Sequence, residues 1–222
     1  MKVRSLFFLI ILTLFSCTGN KRGMPPLEPP NPTEEAPDTF ETAMPDTIID
    51  ASYTFEQAVA GSGAPEEIIR QLELVDITYR SIDGKIHKGQ LVTNKKIAGD
   101  LTRLFDYMLE QDFVVVKVIP IVRYGWNDSL SMDDNNSYSF CYRDISYSKH
   151  ARGMAIDINP RFNPLRWKNE DRPNQPEGAV RDTTVNGTLY PGHPVVQAFR
   201  EHGFRWGHTF TKYWDDHHFE KR

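Results

Sequence analysis

Two hydrophobic periods, found in separate runs, predict an α+β domain in which helices pack on an antiparallel sheet. Val75, Ile77 and Tyr79 alternate with Asp76, Thr78 and Arg80, the period of a half-buried strand. Ile97, Leu101, Leu104, Phe105 and Met108 recur on one face instead, the pattern of a helix packed on a sheet. Phe113 to Val122 is a β-branched run and predicts a buried strand.

The chain opens with a segment that does not belong to this domain. Lys2 and Arg4 precede the apolar run Leu6 to Phe15, which is too short to span a bilayer and has the make-up of a signal peptide. The run ends at Leu14-Phe-Ser-Cys17, which resembles the lipobox of bacterial lipoproteins. Residues 1–17 are therefore expected to be a lipoprotein signal peptide, with Cys17 left as a lipidated N-terminus. An ordinary secretory signal is the other reading, and both place the mature chain outside the cytoplasm. Seven of the 15 prolines lie between Pro25 and Pro45, interleaved with acidic residues. Residues 18–52 thus predict an extended tether that buries too little to fold. The folded domain is expected over residues 53–222. Its 39% hydrophobic and 12% aromatic content, counted over the whole chain, supports one sizeable core. A net charge of -4 offers no basic footprint for nucleic acid.

Within the domain, Pro65 suits the first position of a short helix from Glu66 to Leu72. Asp83-Gly84 marks a tight turn after the first strand, with His87 to Thr93 returning as its partner. Asn94 is a natural N-cap for the amphipathic helix. Tyr124 to Ser137 is polar and predicts a loop, after which Tyr138 to Arg143 resumes as a strand. The stretch Arg161 to His193 is long, irregular and punctuated by Pro and Gly, the composition of a functional flap. Pro194 opens a helix running to His202 and stopped by Gly203. Phe204 to Trp206 and Trp214 to Glu220 close the chain as strands. Only two cysteines occur, so no disulfide framework is expected, and Cys141 in an aromatic run reads as a buried thiol.

Two segments carry chemistry. Ser148-Lys-His150-Ala-Arg-Gly153-Met-Ala-Ile-Asp157 offers an imidazole and a carboxylate, and Asp215-Asp-His-His218-Phe-Glu220 offers a second imidazole with a carboxylate three residues ahead. Two histidines and one carboxylate form a common ligand set for catalytic zinc. The spare Asp215 suits a general base. Met154, Ile156 and Ile158 alternate with Ala155 and Asp157 as a strand. The odd spacing between His150 and Asp157 requires a bend, and Gly153 is the place for it.

These residues resemble the zinc D-alanyl-D-alanine carboxypeptidase family, which includes the VanY and VanX peptidases and phage L-alanyl-D-glutamate endolysins. The carrying pattern is Ser148-x-His150-x-x-Gly153-x-Ala155-x-Asp157 followed by Asp215-x-x-His218-Phe-Glu220. Further blocks similar to the VanY-like branch are Tyr79-x-x-x-Asp83-Gly-x-x-His87-x-Gly89, Asn94-Lys-x-Ile97-Ala98, Asn136-Ser-x-x-Phe140-x-Tyr142-Arg143 and Gly203-Phe-x-Trp206-Gly207. Together they span roughly residues 70 to 222.

The resemblance implies a Hedgehog/DD-peptidase-like α+β fold, with His150, Asp157 and His218 as zinc ligands. It implies hydrolysis of peptidoglycan stem peptides by metal-activated water with Asp215 as general base. Arg143 is the matching arginine, for an oxyanion or a substrate carboxylate, with Arg123 as rival. Ser148 is implied to contact substrate or the ligand shell. His217 and Asp216 adjoin the matched residues as rivals to His218 and Asp215, and His217 reads as solvated. His208 and Thr209 depart from the branch pattern, which suggests a different cleft rim. The competing reading is a non-catalytic zinc domain that binds peptidoglycan or a protein partner. An enzyme of this kind, lipid-anchored at Cys17, would face the periplasm or the cell exterior.

Overall fold

A computed structural model describes residues 47–145 and 147–221. The expected signal peptide, Cys17 and most of the expected tether lie outside the described residues. The elements in order are β1 (Ile48–Ile49), α1 (Phe55–Val59), α2 (Glu66–Ile69), β2 (Leu72–Arg80), β3 (Ile86–Asn94), α3 (Lys95–Glu110), β4 (Lys117–Val118), α4 (Asp128–Asp133), β5 (Asn136–Ser137), β6 (Ala155–Asp157), β7 (Leu165–Trp167), α5 (Pro194–Glu201), β8 (Arg205–Trp206), β9 (Tyr213–Asp215) and β10 (His218–Glu220). Short 3₁₀ turns occupy Ile121–Tyr124, His150–Arg152 and Gly207–Thr209.

The frame is the hairpin of β2 and β3, which pair antiparallel from Leu72 opposite Asn94 to Arg80 opposite Ile86. Its turn is wider than Asp83-Gly84 alone. Ser81 N–H bonds Lys85 O at 3.0 Å, and Gly84 supplies the positive φ of 77°. Asn94 ends β3 and caps α3, its side chain accepting from Lys96 N–H at 3.1 Å. The apolar stripe of α3 is buried with Ile77 and Tyr79 of the hairpin, Ile156 and Ile158 near the site, and Phe199 of α5. Upstream of the expected start near Tyr53, β1 pairs parallel with β3 at Ile48 opposite His87. His87 and Tyr79 both bond Asp50 there.

Several expected elements are shorter. The helix after Pro65 ends at Ile69 rather than Leu72, because Leu72 is buried as the first residue of β2. The run Phe113 to Val122 is a strand only at Lys117–Val118. Side chains replace a ladder along it: Asn159 Oδ1 accepts Val116 N–H at 2.9 Å, and Asn136 Oδ1 accepts Ile119 N–H at 2.8 Å. Pro120 then opens a 3₁₀ turn. The expected loop after Tyr124 holds α4, capped by Asn127, and β5. Tyr138 to Arg143 is not a continuous strand, since its backbone bonds Asp157, Val92 and His150 in turn.

The expected single antiparallel sheet is therefore divided. Sheets of order β1-β3-β2 and β6-β10-β8 accompany the pairs β4-β5 and β7-β9. Buried amides of Asn136, Asn159 and Asn163 satisfy backbone groups where longer ladders would otherwise run. The class remains α+β.

The turn at His150–Arg152 is pinned to the end of β3. Asn94 N–H bonds Gly153 O at 3.0 Å, Asn94 Nδ2 bonds Arg152 O at 3.0 Å, and Thr93 Oγ1 bonds Gly153 O at 3.1 Å. Gly153 makes the bend with φ of 63°. A Cβ there would lie 2.8 Å from both Asn94 N and Leu72 Cδ2. Gly153→Ala is expected to cost roughly 1–3 kcal/mol through strain and displaced backbone. Thermal unfolding of the metal-free chain measures it, and an unchanged Tm would contradict the role given to this bend.

Candidate metal centre and catalytic cleft

Three elements bring the ligand candidates together. The 3₁₀ turn supplies His150, β6 supplies Asp157, and β10 supplies His218, which stands directly opposite Asp157 in the sheet. Cross-strand partners share a face, so the imidazole and carboxylate meet without further help. His150 Nε2 lies 3.0 Å from His218 Nδ1 and 3.2 Å from Asp157 Oδ1, and His218 Nδ1 lies 3.0 Å from the same oxygen. All three residues are buried. A tetrahedral ion with bonds of about 2.0 Å has ligand–ligand edges of about 3.3 Å, so these donors approximate one face of such a tetrahedron.

The opposite ring nitrogens are already committed. His150 Nδ1–H donates to Ser139 O at 2.7 Å, and His218 Nε2 faces Glu220 Oε2 at 3.5 Å. These contacts favour tautomers whose lone pairs point at each other across the site. Two facing lone pairs beside a carboxylate repel unless a cation or proton sits among them. Burial opposes charge on His218, yet its hydrogen bonds to Asp157 and Glu220 lift it to about 10. Burial likewise opposes charge on Asp157, but the neighbouring His150 and His217 hold it well below the ordinary carboxylate range. A site with this field fits a divalent metal ion, which takes the place of the protons on binding.

The ligand set lines a cleft of about 270 Å³ together with Asp215, Arg143, Ser148 and Lys149. Asp215 ends β9, and its Oδ1 lies 2.9 Å from His217 Nε2. The neighbouring Asp216 points elsewhere. It is fully buried, with Arg166 Nε at 2.9 Å, Arg181 Nε at 3.3 Å and His208 Nδ1 at 2.6 Å on its carboxylate. Asp216 is thus a structural anchor that turns the chain between β9 and β10. His208 belongs to that anchor and not to the cleft rim. Gly207 lets the turn close, since a Cβ there would come within 2.7 Å of Asp215 O.

His217 corrects the sequence reading. It is buried and not solvated, with Nδ1 on Asn163 O at 2.8 Å and Nε2 in an ion pair with Asp215 Oδ1 at 2.9 Å. Burial works against its charge, but Asp215 and Asp157 together raise it to about 9. The adjacency of two histidines carried no signal of this role. A contact from Asn163, 54 residues away, defines it. His217→Gln keeps a donor near the Nε2 position, whereas His217→Asn keeps only the one toward Asn163. We expect Asn to lower kcat about 10–100-fold and Gln to restore part of it, with zinc content unchanged in both. Equal losses in the two variants would show a purely structural role.

Arg143 reaches the cleft with Nη2 at 3.2 Å from Asp128 Oδ2. Arg123 is exposed on the turn Ile121–Tyr124 and does not line the cleft. Ser148 Oγ accepts Ala151 N–H at 3.3 Å, so it braces the His150 turn while lining the cleft. Cys141 is buried, which pushes its thiol up to about 12 and leaves it inert.

Residues 143–221 match the family model described as D-alanyl-D-alanine carboxypeptidase. No curated protein and no solved structure matches the chain. The blocks around Tyr79, Asn94 and Asn136 lie upstream of the matched residues. The match begins at Arg143, covers 79 of the chain's 222 residues and contains all three ligand candidates and Asp215, so the segment that supplies them is similar to that family.

Proposed function

We propose that the chain is a zinc peptidase that hydrolyses peptidoglycan stem peptides, with His150, Asp157 and His218 as metal ligands. The observation that carries this reading is the triangle of donor atoms 3.0 to 3.2 Å apart, opening into a cleft that also contains the Asp215 carboxylate. Bound zinc supplies Lewis acidity and a water whose pKa falls toward ~7. Asp215 acts as general base, taking a proton at its carboxylate and returning it to the leaving amine. His217, held by the Asn163 carbonyl, keeps the Asp215 carboxylate in place. Arg143 meets the negative charge that develops on the substrate carbonyl oxygen.

The test is to load the purified chain with zinc and incubate it with muropeptides bearing pentapeptide stems. Mass spectrometry should find peptide-bond hydrolysis that a chelator abolishes and added zinc restores. No hydrolysis with zinc bound would favour the non-catalytic zinc domain instead.

We also propose that the domain works outside the cytoplasm on a lipid anchor at Cys17. The support is the lipobox-like Leu14-Phe-Ser-Cys17 and the Pro-rich segment after it. None of the described helices is long and apolar enough to cross a membrane. Cys17→Ala should move the protein from the membrane fraction to the soluble one, and continued sedimentation with membranes would rule out the anchor.

A further inference from the structure

The cleft at the metal centre is lined by four carboxylates, Asp128, Asp157, Asp215 and Glu220, and its arginine and lysine are Arg143 and Lys149. Each carboxylate has a partner. Asp128 faces Arg143 Nη2 at 3.2 Å, and Asp215 faces His217 Nε2 at 2.9 Å. Asp157 lies 3.0 Å from His218 Nδ1 and 3.2 Å from His150 Nε2, within the ligand triangle. Glu220 lies 3.5 Å from His218 Nε2 and 3.6 Å from Arg205 Nη1. Lys149 is the exception. Among the described residues its ammonium takes part in no ion pair and no hydrogen bond.

The backbone holds this ammonium close to the metal ligands. Lys149 precedes the turn His150–Arg152, and its carbonyl accepts Arg152 N–H at 3.2 Å and Met154 N–H at 2.9 Å. The main chain is thus fixed one residue from a ligand, while the four-carbon stem keeps its reach. Lys149 is half-buried. Its charge is felt at Glu220, whose carboxyl sits below its ordinary range through His218, then Arg205, then Lys149. Lys149 acts least on that carboxylate. Arg143 is engaged more firmly, because the other oxygen of its partner Asp128 accepts the Tyr138 hydroxyl. A half-buried ammonium that lines a cleft without a counter-charge is suited to an anion on the ligand. In a peptide that anion is a carboxylate.

Resting on the peptidase reading above, we infer that Lys149 is a specificity residue that binds a carboxylate of the peptide substrate, while Arg143 serves the carbonyl. Two groups of a peptide carry that charge, the C-terminal carboxylate and an acidic side chain beside the scissile bond. Either would lie on the His150 side of the metal centre, because Lys149 and His150 are consecutive. Lys149 takes no part in making or breaking bonds, so its contribution is one of binding and appears in KM. A neutral peptide leaves the ammonium unpaired in the cleft, and that penalty is what discriminates.

The test uses the full chain in detergent, loaded with zinc, and three peptides of one stem sequence. The first has a free C-terminus and an acidic side chain next to the cut. The second is its C-terminal amide, and the third has the side chain amidated instead. Wild type should prefer the first peptide over one or both amides by about tenfold in kcat/KM, through KM, the lower end for a hydrogen bond to a charged group. Lys149→Met should abolish the preference against one amide, which identifies the carboxylate that Lys149 binds. Lys149→Arg should keep most of it, with zinc content unchanged in both variants. A merely structural role would slow all three peptides alike and leave the preference in place. Retention of the full preference in Lys149→Met, or its absence in wild type, overturns the inference and leaves the peptidase reading standing. No cleavage of any peptide by the zinc-bound chain overturns both.

Discussion

His150→Ala is expected to lose bound zinc and activity together. His150 is held on both sides, by the Ser139 carbonyl at Nδ1 and by the shared site at Nε2. Removing it leaves two donors, too few to hold zinc in a three-ligand catalytic site. The lost Lewis acidity is worth several kcal/mol, and each ~1.4 kcal/mol is tenfold, so the fall in kcat/KM should be on the order of 10³-fold or more. Metal analysis beside the assay separates causes. Full zinc occupancy in the variant would exclude His150 as a ligand.

Asp215→Ala should have the opposite signature: zinc retained and turnover lost. Its carboxylate lines the cleft but belongs to no edge of the donor triangle, so the metal does not depend on it. General-base catalysis contributes about 10²–10⁴-fold, and we expect kcat to fall by that range with little change in KM. Asp216 cannot substitute, because Arg166, Arg181 and His208 hold it away from the cleft. Wild-type turnover in the variant would remove Asp215 from the mechanism.

The two residues behave differently for a reason visible in the backbone. β10 places His218 opposite Asp157, inside a sheet, while Asp215 ends a different sheet paired with β7. The buried Asp216 and His217 form the kink between the sheets. Ligands and base therefore sit on separate rigid elements that meet at one cleft, and a substitution on one element need not disturb the other.

Much of this was legible in the sequence where local pattern and local structure coincide. The stripe Ile97 to Met108 became α3, the alternation Val75 to Tyr79 became β2, and Asn94 became the cap that the chemistry of its amide suggested. The bend required between His150 and Asp157 fell at Gly153, because the spacing alone set their faces apart. What stayed hidden depended on distant partners. The run Phe113 to Val122 has strand composition, but Asn136 and Asn159 supply its hydrogen bonds from elsewhere in the chain. His217 looked like a solvated neighbour of His218 until Asn163 and Asp215 enclosed it. The pairing of Asp216 with Arg166 and Arg181 spans 50 and 35 residues, and no short-range pattern encodes it.

The most direct measurement of the central claim is X-ray absorption at the zinc edge on the purified, zinc-loaded chain. The geometry of His150, Asp157 and His218 predicts one zinc per chain, two imidazoles, and oxygen donors at about 2.0–2.2 Å. A sulfur shell, three imidazoles, or failure to bind zinc would contradict it.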